Sequence, residues 1–104
     1  MNKNEVLSYL YDFTRFLTAN LKGELPEIIL FGSIARGDFH KDSDIDLYIE
    51  TSSKKEVNLA EFEKKLSRKI QLFRHKNIAK IKNNNLINNI MNGISLNGFV
   101  EVIK

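Results

Sequence analysis

Residues 30–50, LFGSIARGDFHKDSDIDLYIE, constrain the fold of this chain more than any other stretch. Ile28, Ile29, Leu30 and Phe31 run straight into Gly32 and Ser33, the pattern of a buried strand that ends in a tight turn and opens a helix. Beyond Gly37 and a polar connection, Asp44 and Asp46 stand two apart in a run whose other members, Ile45, Leu47 and Ile49, are apolar. Positions i and i+2 of a strand share a face, so this spacing projects both carboxylates to one side and sends the isoleucines and the leucine into the core.

The residue types in the two blocks carry chemistry. Gly32 and Gly37 suit places where backbone approaches a ligand or takes positive φ. Ser33 can cap the short helix and donate its hydroxyl to a phosphate oxygen, while successive N–H groups at a helix start form an anion site. Arg36 adds a planar pair of donors. A Gly-Ser turn on its own is also an ordinary strand-to-helix turn, and two aspartates on one face can simply be solvated. Taken together the blocks favour ligation, because paired carboxylates repel unless a cation or donors neutralise them. Magnesium takes oxygen ligands, uses one or two carboxylates and completes its shell with water and phosphates. The pattern points to metal-assisted nucleotide chemistry.

The rest of the chain reads as cover for a sheet. Over 4–20, Val6, Leu7, Leu10, Phe13, Phe16 and Leu17 recur at helical spacing. Residues 21–26, LKGELP, stop that helix and turn the chain into a strand over 27–31. After the polar TSSKK segment, Val57, Leu59, Phe62 and Leu66 predict a helix over 57–68, followed by a short strand over 69–73. The asparagine cluster at Asn83, Asn84 and Asn85 suits a helix cap, with Leu86, Ile87, Ile90, Met91 and Ile94 on the helix and Gly98 ending it. A final strand over 99–103 is a candidate edge for a partner chain and hence for an oligomer. The order predicts an α/β (α+β) fold, a single small mixed β-sheet with helices packed on it.

Composition narrows the class. A chain of 104 residues has room for one domain, 1–104. It has no cysteine, which excludes disulfides and thiolate metal sites and fits a cytoplasmic setting. No apolar run approaches the roughly 20 residues a membrane span needs, and the first residues lack a signal-peptide block. The net charge of +3 is a weak bias, concentrated between Lys64 and Lys82. That run reads as a solvated face or as a surface meeting a nucleotide, an acidic partner or RNA. Nucleic acid is disfavoured, because aromatic residues are not interleaved with the charges. His40 and His75 lack the paired spacing of a zinc site and read as surface histidines, His40 near enough to the aspartates to touch a ligand.

Gly32-Ser33 through Arg36-Gly37, then Ser43-Asp44-Ile45-Asp46-Leu47, resembles the signature of the nucleotidyltransferase superfamily related to DNA polymerase beta. The likeness is greatest to its minimal nucleotidyltransferase subgroup of small single domains. The resemblance implies a polymerase beta-like nucleotidyltransferase fold, with Gly32, Ser33, Arg36 and Gly37 at the nucleotide triphosphate. It implies that Asp44 and Asp46 bind Mg²⁺ and serve catalysis of nucleotidyl transfer from ATP. It further implies a HEPN-domain protein as partner, with the nucleotidyltransferase as the antitoxin of a toxin–antitoxin pair and AMP placed on a tyrosine of the toxin. One departure stands out. Such enzymes carry a third carboxylate on a later strand, and the position reached by strand order is Gln71, which supplies neither a charge nor a base. Glu101 on the last strand is an alternative third carboxylate. Turnover, or binding of the partner by a degenerate site, are therefore the two functional expectations.

Overall fold

The computed structural model describes residues 2–20 and 27–96. Helix α1 spans Lys3–Asn20. Val6, Leu10, Phe13 and Leu17, alternately four and three residues apart, are fully buried and form its apolar stripe. Asn2 sets the start. Its Oδ1 accepts from the Glu5 N–H at 2.9 Å, and its own N–H donates to Glu5 Oε1 at 3.5 Å, a reciprocal cap.

Four strands form one sheet in the order β3-β2-β1-β4: β1 is Glu27–Phe31, β2 Ile45–Glu50, β3 Ile70–His75 and β4 Ile94–Ser95. β1 is antiparallel to both β2 and β4, while β2 and β3 are parallel, so the sheet is mixed as the element order predicts. The helices between strands are α2, Gly32–Arg36; α3, Ala60–Leu66; and α4, Asn84–Met91, with a 3-10 turn at Ile78–Lys80.

Strand alternation sorts the core into two layers. Ile28 and Leu30 of β1 join Ile45, Leu47 and Ile49 of β2 on one face, where Leu10, Phe13 and Leu17 of α1, Ile34 of α2 and Leu66 of α3 cover them. On the other face Phe31 and Tyr48 pack with Ile81 and with Ile90 of α4. Burying a side chain of this size contributes roughly 1.5–3 kcal/mol, so β2, buried at Ile45, Leu47, Tyr48 and Ile49, is the central staple of the domain. Asp46 is the polar interruption in that strand.

Several boundaries differ from expectation, among them the end of α3 at Leu66 and the start of β3 at Ile70. The predicted helix over 57–68 begins only at Ala60. Arg74 holds the preceding segment as a loop, donating to Lys55 O and Ser53 O at 2.7 Å each, and Asn58 Oδ1 accepts from the Ala60 N–H. β3 runs two residues past Phe73, because Arg74 and His75 continue the register against Ile49 and Glu50. Helix α4 ends at Met91, and Ile94 belongs to β4. Gly93 stands at the passage from α4 to β4. A Cβ there would lie 2.5 Å from Leu30 O and 2.6 Å from Ile29 Cγ2, so only glycine lets the chain pass β1 closely enough to pair with it. The asparagine cap does form: Asn83 Oδ1 accepts from the N–H groups of Asn85 and Leu86 at 3.0 and 3.2 Å. The stop over 21–26, Gly98, the strand over 99–103 and Glu101 lie outside the described residues. No described helix is long and apolar enough to cross a membrane.

Candidate active site

β1 delivers the chain to the site. Phe31 is extended, and Gly32 at φ 79° reverses the backbone into α2. Ile34 anchors this short helix in the core, and Lys3 Nζ donates to Ala35 O at 2.9 Å, tying it to the start of α1. Gly37, at φ 84°, ends α2. Its N–H bonds Ser33 O and Ile34 O, and the Asp38 N–H also reaches Ser33 O, which is the glycine-terminated closure of a helix. Nothing lies within 4 Å of a Cβ built on Gly37, so this glycine answers to its φ alone.

Gly32 answers to both φ and space. A Cβ on it would meet Asp46 Oδ2 at 2.4 Å. The missing side chain is the seat of the Asp46 carboxyl group. Asp46 is the second residue of β2, opposite Phe31 on β1 and beside Gln71 on β3. Burial pushes its carboxyl above the usual value, the neighbouring Asp44 charge pushes it the same way, and Arg36 pulls it back. Asp44 and Arg36 therefore both act on Asp46, which links α2 with the start of β2.

Asp44 is not a strand residue, so the expected strand does not include it. It is exposed and lies in the loop immediately before Ile45, where the β2 ladder begins. That loop, 38–44, is internally bonded: the His40 N–H donates to Ser43 Oγ at 3.0 Å, the Ser43 N–H to His40 O at 3.0 Å, and the Asp42 N–H to His40 Nδ1 at 3.3 Å. His40 thus shapes the turn beside the aspartates. His75 is not a freely solvated histidine, since its half-buried ring stacks on Tyr48 at 6.3 Å between centroids. Arg36 is turned toward Asp38, with Nε 3.1 Å from Oδ2, an exposed pair worth at most about 1 kcal/mol.

The Asp44 and Asp46 carboxylates offer oxygen donors of the kind a hard divalent cation such as magnesium takes. Among the described residues no group of three or more His, Asp and Glu side chains could hold a metal. A separate cleft of ≈570 Å³, lined by Thr51, Lys54, Arg74 and His75 among others, opens at the far end of β2. It lies about 16 Å along the strand from Asp46, at 3.3 Å per residue, and contains none of the predicted site residues.

The nucleotidyltransferase domain family matches residues 14–96, most of the chain and every residue the sequence predicts for the site. The chain belongs to this family. It is also similar to two candidate protein adenylyltransferases of Methanocaldococcus jannaschii. One is 40% identical over 45 residues, covering 43% of this chain and 46% of the relative; the other is 41% identical over 49 residues, covering 47% and 46%. The chain spans about half the length of these curated relatives. Its fold, one four-stranded mixed sheet with helices, agrees with that of a nucleotidyltransferase domain.

Two residues at the site escaped the sequence pattern. Lys3 offers no signal, because an N-terminal lysine on an amphipathic helix is ordinary. Arg68 sits within a charge run that reads as solvated, yet its guanidinium donates to His40 O at 2.8 Å and Ser43 O at 2.7 Å across more than twenty intervening residues.

Proposed function

We propose that this domain is a Mg²⁺-dependent nucleotidyltransferase that transfers AMP from ATP to a protein. The observation that carries the proposal is the Asp46 carboxyl seated over Gly32, with the Asp44 charge acting on it. Membership of the nucleotidyltransferase family supports the reaction class, and similarity to candidate protein adenylyltransferases supports a protein acceptor. A HEPN-type toxin as acceptor, with this chain as a cytoplasmic antitoxin, extends the proposal on the sequence resemblance alone.

A bound Mg²⁺ would neutralise the two carboxylates and the phosphate oxygens while the α-phosphorus is attacked. Asp44 and Asp46 are the residues that would hold it. Gly32 keeps the Asp46 carboxyl in place by leaving its own side free, and the Ser33 hydroxyl, one residue further on, is a donor for a phosphate oxygen. Arg36 can exchange its weak, exposed pairing with Asp38 for the larger charge of a triphosphate. In the transfer, an acceptor hydroxyl oxygen bonds the α-phosphorus, the α–β phosphoanhydride bond breaks, pyrophosphate leaves, and the hydroxyl proton passes to solvent or to a base.

Gln71 favours a second reading. It lies in register with Asp46 on the neighbouring strand, and its amide cannot accept that proton. The domain would then neutralise its partner by contact through a site that binds without turning over. Labelled ATP and Mg²⁺ incubated with the purified pair separate the two. Transfer of label to the partner that disappears in Asp46→Asn establishes the enzyme, whereas neutralisation without transfer establishes the binding module. Calorimetric titration of ATP and Mg²⁺ checks the first step; absence of binding, or binding undiminished in the Asp44→Asn/Asp46→Asn double variant, would overturn the proposed site.

A further inference from the structure

We propose that Arg68 is the positioning residue that holds Asp44 in place to act with Asp46, an inference that rests on the metal-binding reading of those two carboxylates. Asp44 needs such a device. Asp46 is fixed by a strand on each side, but Asp44 is exposed and precedes the strand, so no β pairing sets its backbone.

The segment after α3 supplies what the sheet does not. Arg68 donates from one guanidinium nitrogen to Ser43 O at 2.7 Å and to His40 O at 2.8 Å. The next residue, Lys69, offers its carbonyl to the Ile45 N–H at 2.8 Å. Asp44 is thus bracketed: the peptide group before it is held by Arg68 and the one after it by Lys69. The Arg68 guanidinium also lies over the Phe39 ring, 5.0 Å from its centroid, so the side chain is stacked as well as bonded. The backbone that carries it is equally fixed. Ser67 takes the left-handed conformation at φ 52°, and the Arg68 N–H closes the end of α3 on Glu63 O at 3.2 Å. A lysine ammonium could donate to the carbonyls but lacks the flat guanidinium that also stacks on Phe39.

Outer partners that orient metal ligands change metal affinity by about ten- to a hundred-fold when removed. The Arg68→Met variant keeps a stem over Phe39 and loses the donors. Mn²⁺ binding followed by electron paramagnetic resonance is expected to weaken by about that factor in Arg68→Met, with part of the loss recovered in Arg68→Lys. In the metal-free protein, amide exchange at Ser43, Asp44 and Ile45 is expected to accelerate while Ile28 and Leu30 in β1 stay protected. Should Arg68→Met fail to fold, Phe39→Leu withdraws the stacking ring and is expected to shift both readouts in the same direction. Wild-type Mn²⁺ affinity in the variants, or unchanged exchange at 43–45, overturns the role of Arg68. Failure of the wild type to bind Mn²⁺ overturns the metal site itself, and the exchange measurement still decides whether the clamp orders Asp44.

Discussion

Gln71 lies in direct register with Asp46 across the parallel β2–β3 pair, so a neutral amide stands on the neighbouring strand at the level of that carboxyl. Gln71 is exposed, which leaves room and solvent for a charge at that position. Gln71→Glu is therefore expected to fold and to bind divalent metal about tenfold more tightly, a gain of about 1.4 kcal/mol. Like charges facing each other on neighbouring strands destabilise by roughly 0.2–1 kcal/mol, so the metal-free variant should melt slightly below the wild type. Mn²⁺ titration and thermal melts with and without metal measure both. A variant that binds no better than the wild type would show that Gln71 does not face the metal.

The elevated Asp46 carboxyl makes a pH-dependent prediction. Its ordinary value is 3.8, and burial followed by the Asp44 charge raises it in the folded state. The protonated form therefore favours folding below 3.8, and that contribution is lost as pH rises through the raised folded value. At neutral pH, Asp46→Asn should melt above the metal-free wild type, and the difference should vanish once acid protonates the wild-type carboxyl in both states. Mg²⁺ should reverse the order, since a ligand at a hundred times its dissociation constant stabilises by about 2.7 kcal/mol and the variant lacks the ligand group. Melting curves across a pH series decide it; an Asn variant less stable than the metal-free wild type at neutral pH would contradict the buried, charge-crowded carboxyl.

Gly32→Ala tests the seat of that carboxyl. Alanine at φ 79° costs about 1–2 kcal/mol from backbone sterics alone, and its Cβ forces Asp46 Oδ2 to move. The expected outcome is a lower melting temperature together with loss of Mn²⁺ binding. Gly37→Ala shares the first penalty and has open space around the new methyl, so it should lose stability and keep Mn²⁺ binding.

Asn83→Ala removes the acceptor for two N–H groups at the start of α4. A lost cap of this kind costs about 1 kcal/mol, and because α4 covers only the Phe31 and Tyr48 face of the sheet, the variant should lose stability without losing metal affinity. Denaturant unfolding beside a Mn²⁺ titration separates the two effects.

These residues also show why part of the fold is readable from the sequence and part is not. β1, the Asn83 cap and the burial of Val6, Leu10, Phe13 and Leu17 follow from short-range patterns, since a strand's alternation, a cap's acceptor and a helix's stripe are local. Asp46 is readable for the same reason. Asp44 falls outside the strand that the same rule predicts, because whether the ladder starts at Ile45 or one residue earlier depends on where Lys69 brings its carbonyl. The pairing of β4 with β1 depends on Gly93 passing close to Leu30 O and Ile29, residues more than sixty positions away. Arg68 belongs to that second class. Nothing local separates it from the lysines around it, and only the crossover from β2 through α3 to β3 carries it back to His40 and Ser43.

Ser67 is the described non-glycine residue with positive φ, at 52°. Its N–H closes α3 on Lys64 O and Glu63 O, and the left-handed turn sends the chain directly into Arg68 and Lys69. A side chain in this conformation costs about 1–2 kcal/mol that glycine avoids, while glycine gives back about 0.4–1 kcal/mol through the greater freedom of the unfolded chain. Ser67→Gly should therefore stabilise the domain by about 0.5 kcal/mol, equivalent to a rise of about 2–4 °C in melting temperature for a domain of this size. Mn²⁺ affinity should be unchanged, because the turn that presents Arg68 keeps its geometry. Ser67→Val, branched at Cβ, should instead lower the melting temperature and weaken Mn²⁺ binding together, by displacing the guanidinium that holds Ser43. A Ser67→Val protein that melts lower yet binds Mn²⁺ like the wild type would show that the turn and the clamp on Asp44 are independent.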